Sequence, residues 1–255
     1  MSEKNSSLTR VAPLGEAILK NHRLVEALLQ LLPRNPNITF GEFSDKDVFF
    51  SASPRKEKSL PPTKEHLTLI IEKIEHDEAF RNSIKELAIQ SSSKENQVNR
   101  ILLFDLNPQT LAEAKKKIGK PYPNYSRNDR WHIFESESHP DLFIENENFI
   151  LLIEGKRTED STTKKIKYLA HRSQMVRHIE NAIAHSKGKK PVIAFYIVDE
   201  GCGYENKCLP DGLAEDLKKE TIQKSEATNN AIIDSFYGYT TWQAVSKHLG
   251  ICFPE

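Results

Sequence analysis

At 255 residues the chain can hold one large domain or two small ones, either with a full core. Apolar residues make up 38% and charged residues 28%, which suits a soluble globular protein on the polar side. The opening MSEKNSSLTR lacks a secretory apolar run, no stretch nears the roughly 18 apolar residues of a membrane span, and the odd set Cys202, Cys208 and Cys252 suits a reducing cytoplasm. A cytoplasmic protein without a membrane partner is expected.

Lys plus Arg equals Asp plus Glu at 36 each, so net charge says nothing about nucleic acid, but its distribution does. Between Lys156 and Lys190 basic residues far outnumber acids, and a second basic run covers Lys115, Lys116, Lys117 and Lys120, continuing to Arg127 and Arg130. Such patches suit a phosphate backbone; a solvated helix face accounts for either run equally well.

In chain order, residues 1–12 read as disordered. Leu14, Ile18, Leu24, Leu28 and Leu31 recur at helical spacing until Pro33 and Pro36. Residues 36–63 read as a strand fragment and loop, followed by one long amphipathic helix over about 63–90. The polar tract SSSKEN at 91–96 is the expected boundary, dividing a mainly helical region, 1–95, from a second domain, 96–255. Beyond it come a short apolar run at 101–106 and a helix from Pro108 to Ile118. Three strands follow: WHIF (131–134), DLFIEN (141–146) and NFILLIEG (148–155), joined by connectors short enough for an antiparallel meander. A helix around 170–184 crosses to a further strand at 191–199, and the tail from Leu213 alternates helical segments with a Gly-Tyr break at 238–239. This order predicts an α/β domain, its mixed sheet covered by helices.

The informative stretch is HPDLFIENENFILLIEGKRTE, 139–159. Residues two apart on a strand share a face, so Glu154 and Lys156 point one way and Gly155 the other. Pairing around the Glu145–Asn148 turn brings Asp141 beside Glu154. Two carboxylates can bind Mg²⁺, or Mn²⁺ in its place, with water completing the shell. The ion activates water and neutralises phosphate charge, and Lys156 stabilises the attacking hydroxide or the transition state. Gly155 offers its carbonyl as a ligand and lets substrate approach. The competing reading is a cross-strand salt bridge at a sheet end.

These residues resemble the PD-(D/E)XK, or restriction-endonuclease-like, nuclease superfamily: Pro140-Asp141 for the first half of its motif, Glu154-Gly155-Lys156 for the second, over about residues 108–200. The resemblance implies a restriction-endonuclease-like core of three-strand meander, crossover helix and further strand, with divalent metal on Asp141, Glu154 and Gly155 and a catalytic Lys156. It also implies an additional acid, placed on Glu113 with Glu135 and Glu137 competing, and a Gln or basic residue on the following helix. There Gln174 is expected to orient water or hold a phosphate, and His171, Gln174 and His178 lie at spacings of three and four. Arg157, Thr158, Arg172 and Arg177 are expected to bind nucleic acid.

Cys202-x5-Cys208 has the wrong spacing for zinc, His139 reads as a turn residue, Trp131 and Trp242 as core anchors, and neither a Walker loop nor a Rossmann glycine pattern occurs. The expected activity is Mg²⁺-dependent hydrolysis of nucleic-acid phosphodiesters, DNA favoured over RNA. A homodimer is also expected, since cutting both strands of a duplex needs two sites. The alternatives are an inactive nuclease-fold module binding nucleic acid or protein, and an interaction protein working through residues 1–95.

Overall fold

A computed structural model describes residues 7–50, 57–118, 129–156, 169, 171–203 and 205–253. Its centre is a five-stranded sheet of β1 (Val48–Phe50), β2 (Leu142–Glu145), β3 (Ile150–Gly155), β4 (Val192–Val198) and β5 (Phe236–Thr241), lying side by side in chain order. β1, β2 and β3 pair antiparallel; β3, β4 and β5 pair parallel. The β2–β3 turn is set by Asn146, whose Oδ1 accepts from the backbone of Asn148 at 2.8 Å and Phe149 at 2.9 Å. A short polar side chain that satisfies its own turn makes such a connection local.

The strand period of two divides the core between the faces. Ile144, Leu151, Ile153, Phe195 and Ile197 pack with Val11, Leu14, Ile18 and Leu28, which belong to the chain's start and to α1 (Ala12–Lys20) and α2 (Leu24–Leu29), and with Trp242 and Val245 of α10 (Trp242–Leu249). On the opposite face Phe143, Leu152, Ala194 and Tyr196 pack with Met175, Val176 and Ile179 of α7 (Gln174–Ser186) and with residues of α8 (Pro210–Lys219) and α9 (Glu226–Asp234). β3 and β4 are buried throughout, as strands covered on both faces must be. A third cluster gathers α3 (Lys64–His76), α4 (Glu78–Gln90), α5 (Lys94–Phe104) and α6 (Pro108–Ile118) with Trp131, Ile133 and Phe134.

Five expectations need correction, and the first is disorder over 1–12: Ser7–Val11 is helical and Val11 is buried in the core. The WHIF segment is not a strand: Arg100 is buried and donates to the carbonyls of Trp131 at 3.0 Å and Ile133 at 2.8 Å, so these acceptors are satisfied without a sheet partner. The meander takes its first strand from residues 48–50 instead. The helix expected over 63–90 breaks at Asp77, whose backbone is extended and whose Oδ1 accepts from Phe80 N at 2.8 Å, capping α4. The division at 91–96 does not separate two cores, because β1 sits in the sheet and α1 and α2 cover it. Finally, Gly238 and Tyr239 lie inside β5, where Gly238 has φ +88° beside a register shift against β4; the glycine makes a bulge rather than a break. Among the described residues no helix is long and apolar enough to cross a membrane.

Candidate active site

Asp141, Glu154 and Lys156 meet at the end where β3 leaves the sheet. In the β2–β3 register Leu142 faces Ile153, so continuing the pairing by one residue sets Asp141 across from Glu154. Phe143 and Leu152 lie on the α7 face, and by the same alternation so do Asp141 and Glu154. Asp141 Oδ2 accepts from Gly155 N at 2.9 Å, which fixes the carboxylate to the neighbouring strand.

Glu154 is 2% exposed. One of its oxygens accepts from Lys156 Nζ at 2.8 Å, and the other lies 3.2 Å from His178 Nε2. Lys156 Nζ also donates to Gln174 Oε1 at 2.9 Å. Gln174 and His178 are four residues apart at the start of α7 and project to the same side. Two positions on a strand end and two on a helix face are therefore tied into one ring. Burial works to raise the Glu154 pKa, but the Lys156 ammonium and His178 outweigh it and hold the carboxyl at about 2, so it is anionic. Burial also keeps the His178 imidazole below its ordinary 6.5, against the pull of Glu154. A neutral His178 puts its proton on Nε2, toward Glu154; its buried Nδ1 has no hydrogen-bond partner among the described residues.

Two contacts at this site could not be read from sequence spacing. Trp242, from the far end of the chain, donates Nε1–H to the Lys156 carbonyl at 3.3 Å. A Cβ built on Gly155 would approach Trp242 and Val11 to 2.8 Å. The glycine therefore makes room for the indole on the face away from α7, not for an approaching substrate. Trp242 is a core anchor, as expected, and also fixes the backbone that carries Lys156. His178 was signalled only by its spacing from Gln174.

The remaining expected residues lie elsewhere. Arg172 is 2% exposed and bonded to three carboxylates: Glu135 at 3.1 and 3.2 Å, Glu220 at 2.9 and 3.0 Å, and Glu180 at 2.7 Å. Arg177 is buried against Glu135 and donates to Ser136 O at 3.0 Å. Neither is available to a nucleic-acid phosphate, so both assignments are corrected: these guanidiniums hold the fold. Glu135, buried among Arg172, Arg177 and His66, belongs to the same network and is held well below the usual carboxylate range by those cations despite its burial. Glu113 is exposed and pairs with Lys117 on its own helix, and α6 packs mainly on α3 and α5; it is not gathered with the trio. Glu137 is half-buried, with its carbonyl accepting from Arg177. Arg157 and Thr158 lie outside the described residues. Of the basic runs, Lys115 pairs with Glu75, Lys117 with Glu113 and Asp129, and Lys190 with Glu145. Cys208 is a buried free thiol, pushed up to about 12 chiefly by burial.

No family model, curated protein or solved structure matches the chain. The reading of the site therefore rests on its own geometry.

Proposed function

We propose that the chain is a divalent-metal-dependent nuclease acting at the Asp141, Glu154 and Lys156 end of the sheet, with DNA favoured over RNA as substrate. The observation that carries this is the ring of Glu154, Lys156, Gln174 and His178 at the mouth of an otherwise apolar strand, with Asp141 on the adjoining strand and the same face. Burying an anion and a cation at a strand end does little for stability on its own account. Support for a restriction-endonuclease-like core comes from the element order: an antiparallel meander, a helix that returns the chain, and a parallel neighbour to the motif strand.

The donors suit a hard divalent ion. Mg²⁺ or Mn²⁺ would be held by the Asp141 and Glu154 carboxylates and the Gly155 carbonyl, with water completing the shell. Such an ion supplies an activated water and offsets phosphate charge. Lys156, its side chain 14% exposed, puts an ammonium where charge builds on the attacked phosphate. Gln174 fixes that ammonium from the helix side, and His178 fixes the Glu154 carboxylate. The test is cleavage of DNA and RNA with Mg²⁺ or Mn²⁺, with a chelator control and with Asp141→Ala and Lys156→Ala. Absence of cleavage under every divalent ion refutes the proposal.

One observation favours a second reading, an inactive module of the same fold. Both Glu154 oxygens already have partners, Lys156 and His178, so the carboxylate is satisfied with protein groups alone. Calorimetry separates the two readings: heat of Mn²⁺ binding that Asp141→Ala removes favours the enzyme, and its absence in the native chain favours the module.

A further inference from the structure

Five large apolar side chains are exposed among the described residues, and three of them lie on α5: Val98, Ile101 and Leu102, with Val98 63% exposed. At about 100° per helical residue Ile101, Val98 and Leu102 fall within an arc of about 100°, so these side chains form one patch rather than the scattered apolar residues normal on a surface.

The charges around the patch say what covers it. Lys94, Val98, Ile101 and Asp105 fall within an arc of about 60° at about 100° per helical residue. Lys94 is exposed in the first turn of α5, and Asp105 is its exposed C-terminal cap. Both signs oppose the helix dipole, which favours acids at the start and bases at the end. The midpoint of Lys94 and Asp105 is also the midpoint of Val98 and Ile101, between Asn99 and Arg100. A two-fold axis through that point lays α5 antiparallel on α5 of a second copy. Val98 then meets Ile101, Lys94 meets Asp105, each contact occurs twice, and Leu102 flanks the seam. Asp105 Oδ1 accepts from Lys85 at 2.5 Å, and its other oxygen serves the second copy.

We propose that this face of α5 is a self-complementary dimer interface whose occupant is a second copy of the chain. The stripe K-x3-V-x2-I-x3-D is its own complement when reversed, the condition an isologous contact imposes. A different protein partner would not require the charges to be placed symmetrically about the apolar pair.

Sedimentation of the full chain over a concentration series tests this. The native protein is expected to pass from monomer to dimer, and Val98→Glu or Ile101→Glu to stay monomeric with an unchanged far-ultraviolet dichroism spectrum. K94E and D105K each place like charges opposite one another and weaken association by about tenfold or more. Mixing K94E with D105K restores it, because each basic group again faces an acid in the heterodimer. That rescue excludes a purely internal effect on the Lys85–Asp105 pair. A native chain that is monomeric at every concentration overturns the proposal, as does a dimer indifferent to Val98→Glu or a mixture that fails to recover.

Discussion

Two polar clusters adjoin the start of α7, and they are built in opposite ways. The one around Arg172 is closed: three carboxylates (Glu135, Glu180, Glu220) meet three permanent cations (Arg172, Arg177, Lys224), and Thr63 Oγ1 donates to Glu180 at 3.0 Å. The one around Glu154 has fewer members. Its cation is partly exposed, with 14% of the Lys156 side chain open against 2% for Arg172. The first is sealed away from water, where such a set of charges fixes geometry; the second sits at a strand mouth with its ammonium partly open to water. The helix serves both. Arg177 and Glu180 turn to the closed side, and Gln174 and His178 to the open one.

Removing the hub of the closed cluster is expected to have the largest effect. Arg172→Ala strands three buried carboxylates and should cost about 3–5 kcal/mol in urea unfolding, while Lys156→Ala costs less because its site is partly open to water. If both lowered stability alike, the contrast would collapse. For turnover the ranking reverses: Lys156→Ala should lower kcat by about 10²–10³-fold, read under saturating metal at a temperature where the variant is folded.

Acid sharpens the comparison next. Glu154 titrates at about 2 when folded against an ordinary 4.5, so its contribution is complete above the unfolded value and is lost as pH falls through the folded one. At about 1.4 kcal/mol per unit this amounts to about 3 kcal/mol between pH 5 and pH 2. His178 and His132 are both depressed by burial, His132 to about 4, so the unfolded chain takes up their protons first and stability already declines as pH drops below the ordinary 6.5. Urea midpoints that stay flat from pH 7 to pH 3 would contradict both assignments.

Smaller effects should come from the supports of the open cluster. Gln can place an amide donor near the Nε2 position of histidine and Asn cannot, so His178→Gln is expected to keep activity within a few fold. His178→Asn should lose about 1–2 kcal/mol of transition-state stabilisation, seen mainly as a rise in the metal concentration needed for half-maximal rate. Smallest in turnover is Trp242→Phe, although losing one donor to the Lys156 carbonyl together with part of a buried indole should cost about 2 kcal/mol of stability.

Asp141, Glu154, Lys156 and Gln174 were legible because their placement follows from local rules: the strand period of two, a two-strand turn and helical spacing. The mixed α/β sheet flanked by helices was legible for the same reason. What sequence concealed depends on partners distant along the chain. WHIF has the composition of a strand, yet its carbonyls are taken by Arg100, about 30 positions upstream. The true first strand, Val-Phe-Phe at 48–50, is too short for its alternation to be read. Arg172 and Arg177 looked like phosphate ligands because a basic residue beside a motif looks the same whether it faces solvent or three buried acids. The split at Asp77 turned on one capping side chain inside an otherwise unbroken helical pattern.

The pairing of Val48 with Ile144 carries a consequence for biosynthesis. Roughly 90 residues, four helices among them, separate β1 from the strand it borders, and such remote pairing slows folding far more than it lowers stability. On the ribosome α1, α2 and β1 emerge before the strands whose apolar surface they cover. The helical insert can settle meanwhile, but the sheet has no template until the hairpin of β2 and β3 appears. This chain thus spends its vulnerable interval with its head waiting for its middle, and that is where a chaperone would have most to do.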